Sequence, residues 1–373
     1  MSQLQLEKYN NFEQANVSID EWRHLLTQCV APSLFMTPEF MLTALQNLRY
    51  YTEKACTIVI RSQTNNQLVA LFFFINTRTK WKLLKFNMAE YTIVDEVDKP
   101  YPLIHAKFEA QAWQMLFEHY IEHKKTWDIL DIMELPASSP IFQQAKNIFR
   151  LPHYQVLTNH DTCGPMVDLS QTWEAFSGPH KKMRKRIRKM SKDFGEAFEF
   201  KVYNGTDIEQ YLNEYIQLEQ KSWKGAKNIG ISKHQFSTTF YQKFLAQLGQ
   251  NNAVYFGFIY ISGQLVSGEI AYAYNETIYF AHGSYDPEYK KYSPGMVSTA
   301  LLIKALCNKG YKQGDFLAGF ANYINPWAHK LVTTERLTIL KLTPRMVFVL
   351  LLVEIKKGLW RLLKKNSKDE YQL

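Results

Sequence analysis

Cysteine is scarce in this chain. The 373 residues contain four cysteines, Cys29, Cys56, Cys163 and Cys307, which lie far apart and form no paired motif. Zinc sites and disulfide frameworks both rest on closely spaced or paired cysteines. We therefore expect no metal site and no disulfides, as is usual in the reducing cytoplasm.

Long apolar runs and catalytic signatures are also missing. No run reaches the roughly 20 apolar residues that a membrane span needs, and the start, MSQLQLEKYNNFEQ, has no secretion-signal pattern. We expect a cytoplasmic protein, with any membrane contact peripheral on the inner face. The sequence has no G-x-S-x-G, H-E-x-x-H, P-loop or G-x-G-x-x-G motif, which argues against the enzyme classes that depend on them.

Positive charge is abundant but local. The net charge is +9. Eight Lys or Arg residues fall within 181–192, and seven fall within 345–368 against one acidic residue, Glu354. The basicity therefore belongs to two surfaces, and we predict no sequence-specific nucleic-acid partner.

The stretch from Gln264 to Gly319 organises the rest of the chain. Two strand-like runs flank Asn275-Glu276 as a hairpin. A polar loop ending in Ser293-Pro294-Gly295 then leads into an apolar helix and a further strand. A helix start with free N–H groups can hold a pyrophosphate. The alternative is a bare loop without a ligand.

The motifs GQLVSGEIAY, YDPEYKKYSPG and GDFLAG…Y…W resemble the BioF2-like branch of the GNAT acyltransferase superfamily, which includes CelD-type proteins of cellulose biosynthesis. HKKMRKRIRKM and EQKSWKG extend the resemblance upstream. It implies an α+β, GNAT-like mixed sheet flanked by helices, an acyl-CoA donor such as acetyl-CoA, and an acceptor from envelope glycan chemistry. One departure is Ile324, where the family usually has Lys.

The predicted donor site lies at the helix start. We predict that the acyl-CoA pyrophosphate binds there, with the following contact residues: Lys290, Lys291, Tyr292, Ser293, Gly295 and Met296.

Three residues are predicted to be catalytic. Glu269 is a carboxylate among small apolar residues in mid-strand, which is costly unless it is partnered or functional. If Asn275 and Glu276 form a tight hairpin, counting back places Glu269 opposite His282, close enough for a hydrogen bond. The alternatives are a structural pair, or a register slip that separates the two. Asp315 is the third candidate, or else a turn residue that satisfies backbone donors.

Five residues are predicted to contact substrate. Arg184 and Arg188 lie one turn apart on the basic helix and suit a phosphate of CoA or of a lipid-linked acceptor, although such a face can also be merely solvated. Trp223 borders the acceptor position of a GNAT-like fold, or else belongs to the core. Tyr323 and Trp327 come from the last family motif.

The first half repeats the order of the second without its helix-start loop. We predict a degenerate GNAT-like half over 1–160, an acyltransferase domain over 161–343 and a basic amphipathic helix over 344–373. The alternative for the first half is an unrelated α+β domain. The final helix has an apolar face and a Lys/Arg face, which suits an anionic membrane surface or docking on the protein's own core.

Three functions remain open. The first is acyl-CoA-dependent acyl transfer to an envelope polysaccharide, amino-sugar or lipid-linked precursor. The second is a FemABX-like transferase that uses aminoacyl-tRNA, since that family also pairs two GNAT-like halves. The third is a non-catalytic, membrane-associated accessory protein of glycan biosynthesis.

Overall fold

A computed structural model describes residues 4–47, 55–81, 84–91, 100–205, 207–307, 309–318 and 325–355. The strands in these ranges are β1 (Leu4–Tyr9), β2 (Ala55–Ser62), β3 (Leu68–Trp81), β4 (Leu84–Tyr91), β5 (Leu103–Ile104), β6 (Ile129–Pro136), β7 (Tyr154–Asp168), β8 (Phe198–Asn204), β9 (Val254–Ile261), β10 (Gln264–Tyr274), β11 (Thr277–Tyr285), β12 (Gln313–Asp315) and β13 (Lys330–Lys341). The helices are α1 (Ile19–Gln28), α2 (Pro38–Asn47), α3 (Glu109–Glu122), α4 (Ile141–Ile148), α5 (Trp173–Ser177), α6 (Lys181–Phe194), α7 (Ile208–Lys221), α8 (Trp223–Ala226), α9 (Gln235–Gln250), α10 (Pro294–Leu306) and α11 (residues 344–355).

Local sequence signals explain several of these boundaries. Ser18 and Glu21 form a capping box that starts α1, which satisfies two N–H groups at the helix start. Asn66 and Asn275 take the left-handed conformation in the two hairpins, a region that asparagine tolerates better than most residues. The predicted hairpin at Asn275-Glu276 is confirmed, and β2 and β3 form the second one.

The strands of the described ranges join into one mixed sheet. Its order is β1-β2-β3-β4-β6-β13-β7-β12-β11-β10-β9-β8, and β5 pairs with β3. Most neighbours are antiparallel, whereas β4 with β6 and β11 with β12 are parallel. The prediction of a mixed sheet flanked by helices is confirmed.

The two halves follow the same path. In the first, β1 leads through α1 and α2 to the β2–β3–β4 meander, and α3 crosses over to β6, which is parallel to β4. In the second, β8 leads through α7 and α9 to the β9–β10–β11 meander, and α10 crosses over to β12, which is parallel to β11. The expected internal repeat is therefore visible in the topology.

Two long strands join the halves. β13 pairs with β6 of the first half, and β7 pairs with β12 of the second. Strands β7 and β13 also pair with each other along most of their length. The predicted boundary at residue 160 thus falls inside the continuous strand β7.

Both halves contribute to one of the hydrophobic cores. Phe40 on α2 lies 5.2 Å and 5.0 Å, between ring centroids, from Phe240 and Phe244 on α9. Phe244 in turn packs edge-on against Tyr272 of β10 at 5.5 Å. Through these aromatic contacts, which contribute about 0.5–1.5 kcal/mol each beyond their area, the first half supports one face of the second half's sheet.

The other face of the second half's sheet carries α10 and α6. Gly178 and Pro179 separate α5 from α6, and α6 holds the basic segment of the sequence. Met183 and Met190 of α6 are buried. The Lys and Arg residues on the rest of α6 therefore remain available at the surface.

The C-terminal helix is described only in its first part. Arg345 Nη2 donates to Asp128 Oδ2 at 2.9 Å, and Met346 and Val349 are buried against the first half. Residues 356–373 of the predicted amphipathic helix lie outside the described residues. No helix within the described ranges has the length and apolar character to cross a membrane.

Candidate active site

The sheet opens between β11 and β12. These strands pair only from Thr277 to Tyr279, whereas β11 continues to Tyr285. A cavity of about 580 Å³ lies along the unpaired part of β11. Its lining residues are Arg186, Trp223, Lys224, Glu269, Phe280, Ala281, Gly283, Ser284, Tyr285, Lys290, Ser293, Gly295, Met296 and Phe316.

Glu269 is the acidic residue of this cavity. It lies on β10 and is 6% exposed. Burial raises its pKa to about 8, against the opposing effects of the Thr299 hydrogen bond and the Lys224 charge. A carboxyl group that titrates near the operating pH is suited to general acid–base chemistry.

Thr299 connects Glu269 to the start of α10. Its Oγ1 lies 3.0 Å from Glu269 Oε2 and 2.8 Å from the carbonyl oxygen of Gly295. Because a hydroxyl carries one proton, neutral Glu269 donates to Thr299 while Thr299 donates to Gly295. When Glu269 is ionised, Thr299 donates to the carboxylate instead. The acid is thereby held in one orientation in both protonation states.

The predicted Glu269–His282 pair is wrong. The hairpin starts in the predicted register, with Tyr274 opposite Thr277, but a β-bulge at Ala281 shifts the pairing. Beyond the bulge Ile270 faces His282, and Glu269 faces Gly283. A bulge adds one unpaired residue, and a one-residue shift moves a side chain to the other face of the sheet.

His282 belongs to the opposite face from Glu269. Its ring lies 4.8 Å from that of Tyr241 on α9 and 6.2 Å from that of Tyr272. Burial and the charges of Lys224 and Lys233 lower its pKa to about 3. The neutral imidazole is therefore an aromatic packing residue, which corrects the prediction that it is catalytic.

The start of α10 has the features predicted for a phosphate site. Ser293 takes the left-handed conformation (φ 55°, ψ 54°) and makes no side-chain cap. Pro294, the first helical residue, has no N–H to donate. The next two residues, Gly295 and Met296, line the cavity, and the free N–H groups and dipole of a helix start favour an anion.

Besides Lys224, two cationic residues line the same cavity. One is Lys290, and the other is Arg186 of α6, whose Nη1 lies 3.1 Å from Met296 Sδ. Lys291 instead lies over the ring of Tyr292, 5.0 Å from its centroid, outside the cavity. Tyr292 packs against Phe194 at 4.9 Å, so its role is to dock the loop onto α6.

Arg184 and Arg188 of α6, which were predicted to bind phosphate, do not line the cavity of Glu269. Arg184 Nη2 donates to the carbonyl oxygen of Gly178 at 2.9 Å, and Arg188 is exposed. Neither lines the cavity. The helical phase places Arg186, between the two, on the side that faces α10, which corrects the choice of Arg184 and Arg188 as the phosphate-binding pair.

The remaining predicted residues have mixed outcomes. Trp223 lines the cavity and is 48% exposed, so the alternative of a core residue is wrong. Trp327 is buried and packs in the same core cluster as residues of α10. Tyr323 and Ile324 lie outside the described residues.

Asp315 lines a different cavity from Glu269. Its Oδ1 accepts a hydrogen bond from the N–H of Leu317 at 2.8 Å, and Leu317 has a left-handed φ of 57°. The side chain lines a separate cavity of about 490 Å³ with Lys330 and Tyr279. This geometry corrects its prediction as a catalytic residue and agrees with the alternative of a turn residue.

Sequence reasoning missed Arg186, Lys224 and Gly283. Gly283 had a signal, since a glycine opposite a buried carboxylate leaves room for it, but the register error hid the pairing. Lys224 follows Trp223 in EQKSWKG, and only the fold shows that it reaches Glu269's cavity. Within the described ranges, no group of three or more His, Cys, Asp or Glu side chains is placed to hold a metal ion.

Comparisons with known proteins bear on this site and its fold. Residues 181–324 match a family model described as an acetyltransferase (GNAT) domain. No curated protein sequence matches the chain. The solved structure of FemX is 9% identical with a TM-score of 0.56, covering 89% of this chain and 96% of that chain.

Two further structures cover nearly the whole chain. The C-terminal domain of a putative lysylphosphatidylglycerol synthetase from Agrobacterium fabrum is 10% identical, with a TM-score of 0.53 over 91% of this chain and 95% of that one. L-PGS from Bacillus licheniformis is 11% identical, with a TM-score of 0.53 over 90% and 95%. At such identities the likeness establishes the fold. Together with the domain match, it identifies a GNAT fold and an acyltransferase enzyme.

Proposed function

We propose that the second half of this chain transfers an acyl group from acyl-CoA to an amine or hydroxyl of an envelope polysaccharide, amino-sugar or lipid-linked precursor. The main support for the proposal is that one cavity contains both a candidate general base and a candidate phosphate-binding site. A buried carboxyl group with a pKa near 8, Glu269, lies beside an uncapped helix start, Ser293–Met296.

The donor fits the residues at the helix start. The N–H groups of Gly295 and Met296, together with Lys290 and Arg186, would hold the diphosphate of CoA. When bound, acyl-CoA supplies the acyl group as a thioester. The unpaired Ala281 of the bulge lines the cavity, and its backbone N–H would be the donor to the thioester oxygen.

Glu269 would act on the acceptor. Its ionised carboxylate takes the proton from the attacking amine or hydroxyl, and its raised pKa makes it a stronger base than an ordinary carboxylate. Thr299 keeps the accepting oxygen in place. The opening of the sheet at β11 leaves the carboxyl group accessible from the side of Trp223 and Lys224.

The second candidate is an aminoacyl transfer of the FemABX type. It is favoured by the fold shared with FemX and by the two-half architecture. It is tested against the first by thermal shift, with acetyl-CoA in one arm and aminoacyl-tRNA in the other. Stabilisation by acetyl-CoA alone supports the proposal, and stabilisation by aminoacyl-tRNA alone rejects it in favour of the second candidate.

The C-terminal helix supports a place at an anionic membrane surface. Phe348, Leu351 and Ile355 are 51–58% exposed and lie on one side of α11, opposite the buried Met346 and Val349. Five Lys and Arg residues follow between 356 and 365 in the sequence. An exposed apolar stripe that continues into a basic segment is typical of helices that lie in a membrane interface.

A further inference from the structure

Lys224 is a nearly buried cation whose hydrogen-bonding capacity is unused. Its side chain is 17% exposed, and its Nζ lies 4.0 Å from Oε1 of Glu219, beyond hydrogen-bond distance. An ammonium group has three N–H donors, and buried polar groups are normally hydrogen-bonded. Among the described residues, no side-chain or backbone oxygen accepts a hydrogen bond from this ammonium group, which lines the cavity of Glu269.

Glu219 holds this lysine in place. It is fully buried on α7, and its Oε2 accepts hydrogen bonds from the backbone N–H and the hydroxyl of Ser232 at 3.2 and 3.3 Å. A side chain at Gly230, whose φ is 102°, would collide with the carboxylate. The loop that contains Gly230 and Ser232 therefore packs closely against Glu219. The charge of Glu219 attracts the Lys224 ammonium group and keeps it at the cavity wall.

The backbone of Lys224 is fixed as well. Ser222 Oγ donates to the carbonyl oxygen of Glu219 at 2.7 Å and accepts from the N–H of Lys224 at 3.1 Å. A cation held at both ends, with free donors facing a cavity, is a preorganised anion-binding group.

The position of Lys224 separates it from the donor cations. Arg186 and Lys290 lie near the start of α10, whereas Lys224 comes from α8 and follows Trp223, whose exposed ring lines the same cavity. The donor phosphates are matched by the helix start and its two cations. Lys224 is therefore available to bind the acceptor substrate.

We propose that Lys224 binds an anionic group, a carboxylate or phosphate, on the acceptor, with the Trp223 ring as the adjoining wall. This inference rests on the proposed function, and it narrows the acceptor class from any amine or hydroxyl to one that carries a negative charge near the reacting group. Glu219 is the positioning residue for Lys224.

The first test compares acceptors. Transfer from acetyl-CoA is followed by release of CoA thiol with glucosamine, glucosamine-6-phosphate and 2-amino-2-deoxyglucuronic acid. The wild type should prefer one of the two anionic acceptors, which distinguishes phosphate from carboxylate. Lys224→Gln should raise KM for that acceptor about 10- to 100-fold, leave the KM for acetyl-CoA unchanged, and change the KM for glucosamine far less.

Matched variants control for folding and general charge. Lys227→Gln removes a nearby cation that lies 5.3 Å over the Trp223 ring, and it should retain the preference. Lys224→Arg should retain most of the wild-type preference for anionic acceptors. Equal preference for anionic acceptors in the wild type and in a folded Lys224→Gln variant would overturn the inference.

A binding measurement keeps the inference testable without turnover. Inorganic phosphate and acetate are titrated by calorimetry into the full chain carrying Arg186→Gln and Lys290→Gln, which removes the donor cations. Adding Lys224→Gln should weaken binding of one ion about tenfold or more; unchanged affinity contradicts the inference. Failure of the wild type to bind acetyl-CoA would reject the proposed function, while this measurement would still report on Lys224.

Discussion

Glu269 lies directly opposite Gly283 on the neighbouring strand, and a methyl group at Gly283 would stand 2.7 Å from Glu269 Oε2. The absence of a side chain at position 283 is therefore what admits the carboxylate between β10 and β11. The bulge at Ala281 creates this pairing. Without it His282 would face the acid, and the cavity would have a different wall.

Substitution of Gly283 by alanine tests this relationship. Gly283→Ala should displace the carboxylate and reduce kcat/KM roughly 10- to 100-fold, because small displacements of a reacting group are costly. In a Glu269→Gln background the same substitution should cause little further loss, as expected for two residues that act through one contact. If the two substitutions reduced kcat/KM independently, so that their effects added in the double variant, the account would be contradicted.

The pH dependence of transfer should report Glu269. Because the base must be ionised, kcat/KM should rise with pH and level off above about 8, the raised pKa of Glu269. Thr299→Val removes a hydrogen bond that lowers this pKa, so the rising limb should move to higher pH. If the rising part of the pH profile has the same midpoint in Thr299→Val as in the wild type, a group other than Glu269 controls kcat/KM.

The same raised pKa has a consequence for stability. Between the ordinary carboxyl pKa of 4.5 and about 8, the folded protein keeps a proton on Glu269 that the unfolded chain has released. This contribution to stability is complete below pH 4.5 and falls as pH rises through 8. Urea unfolding at several pH values should show that loss in the wild type and a smaller one in Glu269→Gln.

Cationic residues that are close in sequence should differ in how much they contribute to acetyl-CoA affinity. Arg186→Gln and Lys290→Gln should each weaken acetyl-CoA binding roughly three- to tenfold, since both side chains line the cavity but are exposed to screening. Arg188→Gln and Lys291→Gln remove equal charges outside it and should have little effect. Calorimetry that finds all four equivalent would favour a diffuse field over the proposed contacts.

The exposed stripe of α11 should bind vesicles. Phe348→Glu combined with Leu351→Glu should abolish flotation with anionic liposomes, and high salt should weaken flotation of the wild type. Leu331, which is 50% exposed on β13, provides the control, since Leu331→Glu should float normally. Flotation that persists in the double variant would show that the stripe does not hold the protein on the membrane.

The sequence predicted the regular elements of the second half because their patterns are local. Asn275 and the Ser293-Pro294-Gly295 turn specify a hairpin and a helix start within a few residues, and the structure has both. Strand β8 was missed, since its FEFKVYN alternates between half-exposed and exposed positions at the sheet edge. The domain boundary was placed inside β7 because this strand pairs with residues far along the chain, which no local pattern shows.

The site was predictable only in part. Glu269 and the helix start were found from their own residue types. The His282 prediction failed because a single bulged residue, which no local signal marks, reverses the faces of β11 beyond it. Arg186 and Lys224 were missed for a related reason: each reaches the cavity from an element whose placement depends on tertiary packing.

The central claim is that Glu269 removes the acceptor's proton in a cavity that also binds acyl-CoA. The most direct measurement is acyl transfer by Glu269→Gln, with acetyl-CoA affinity determined on the same sample and His282→Phe as the control. We predict that Glu269→Gln loses roughly 100- to 10,000-fold in kcat with unchanged affinity for acetyl-CoA, while a folded His282→Phe variant remains active. Wild-type turnover in Glu269→Gln would contradict the account.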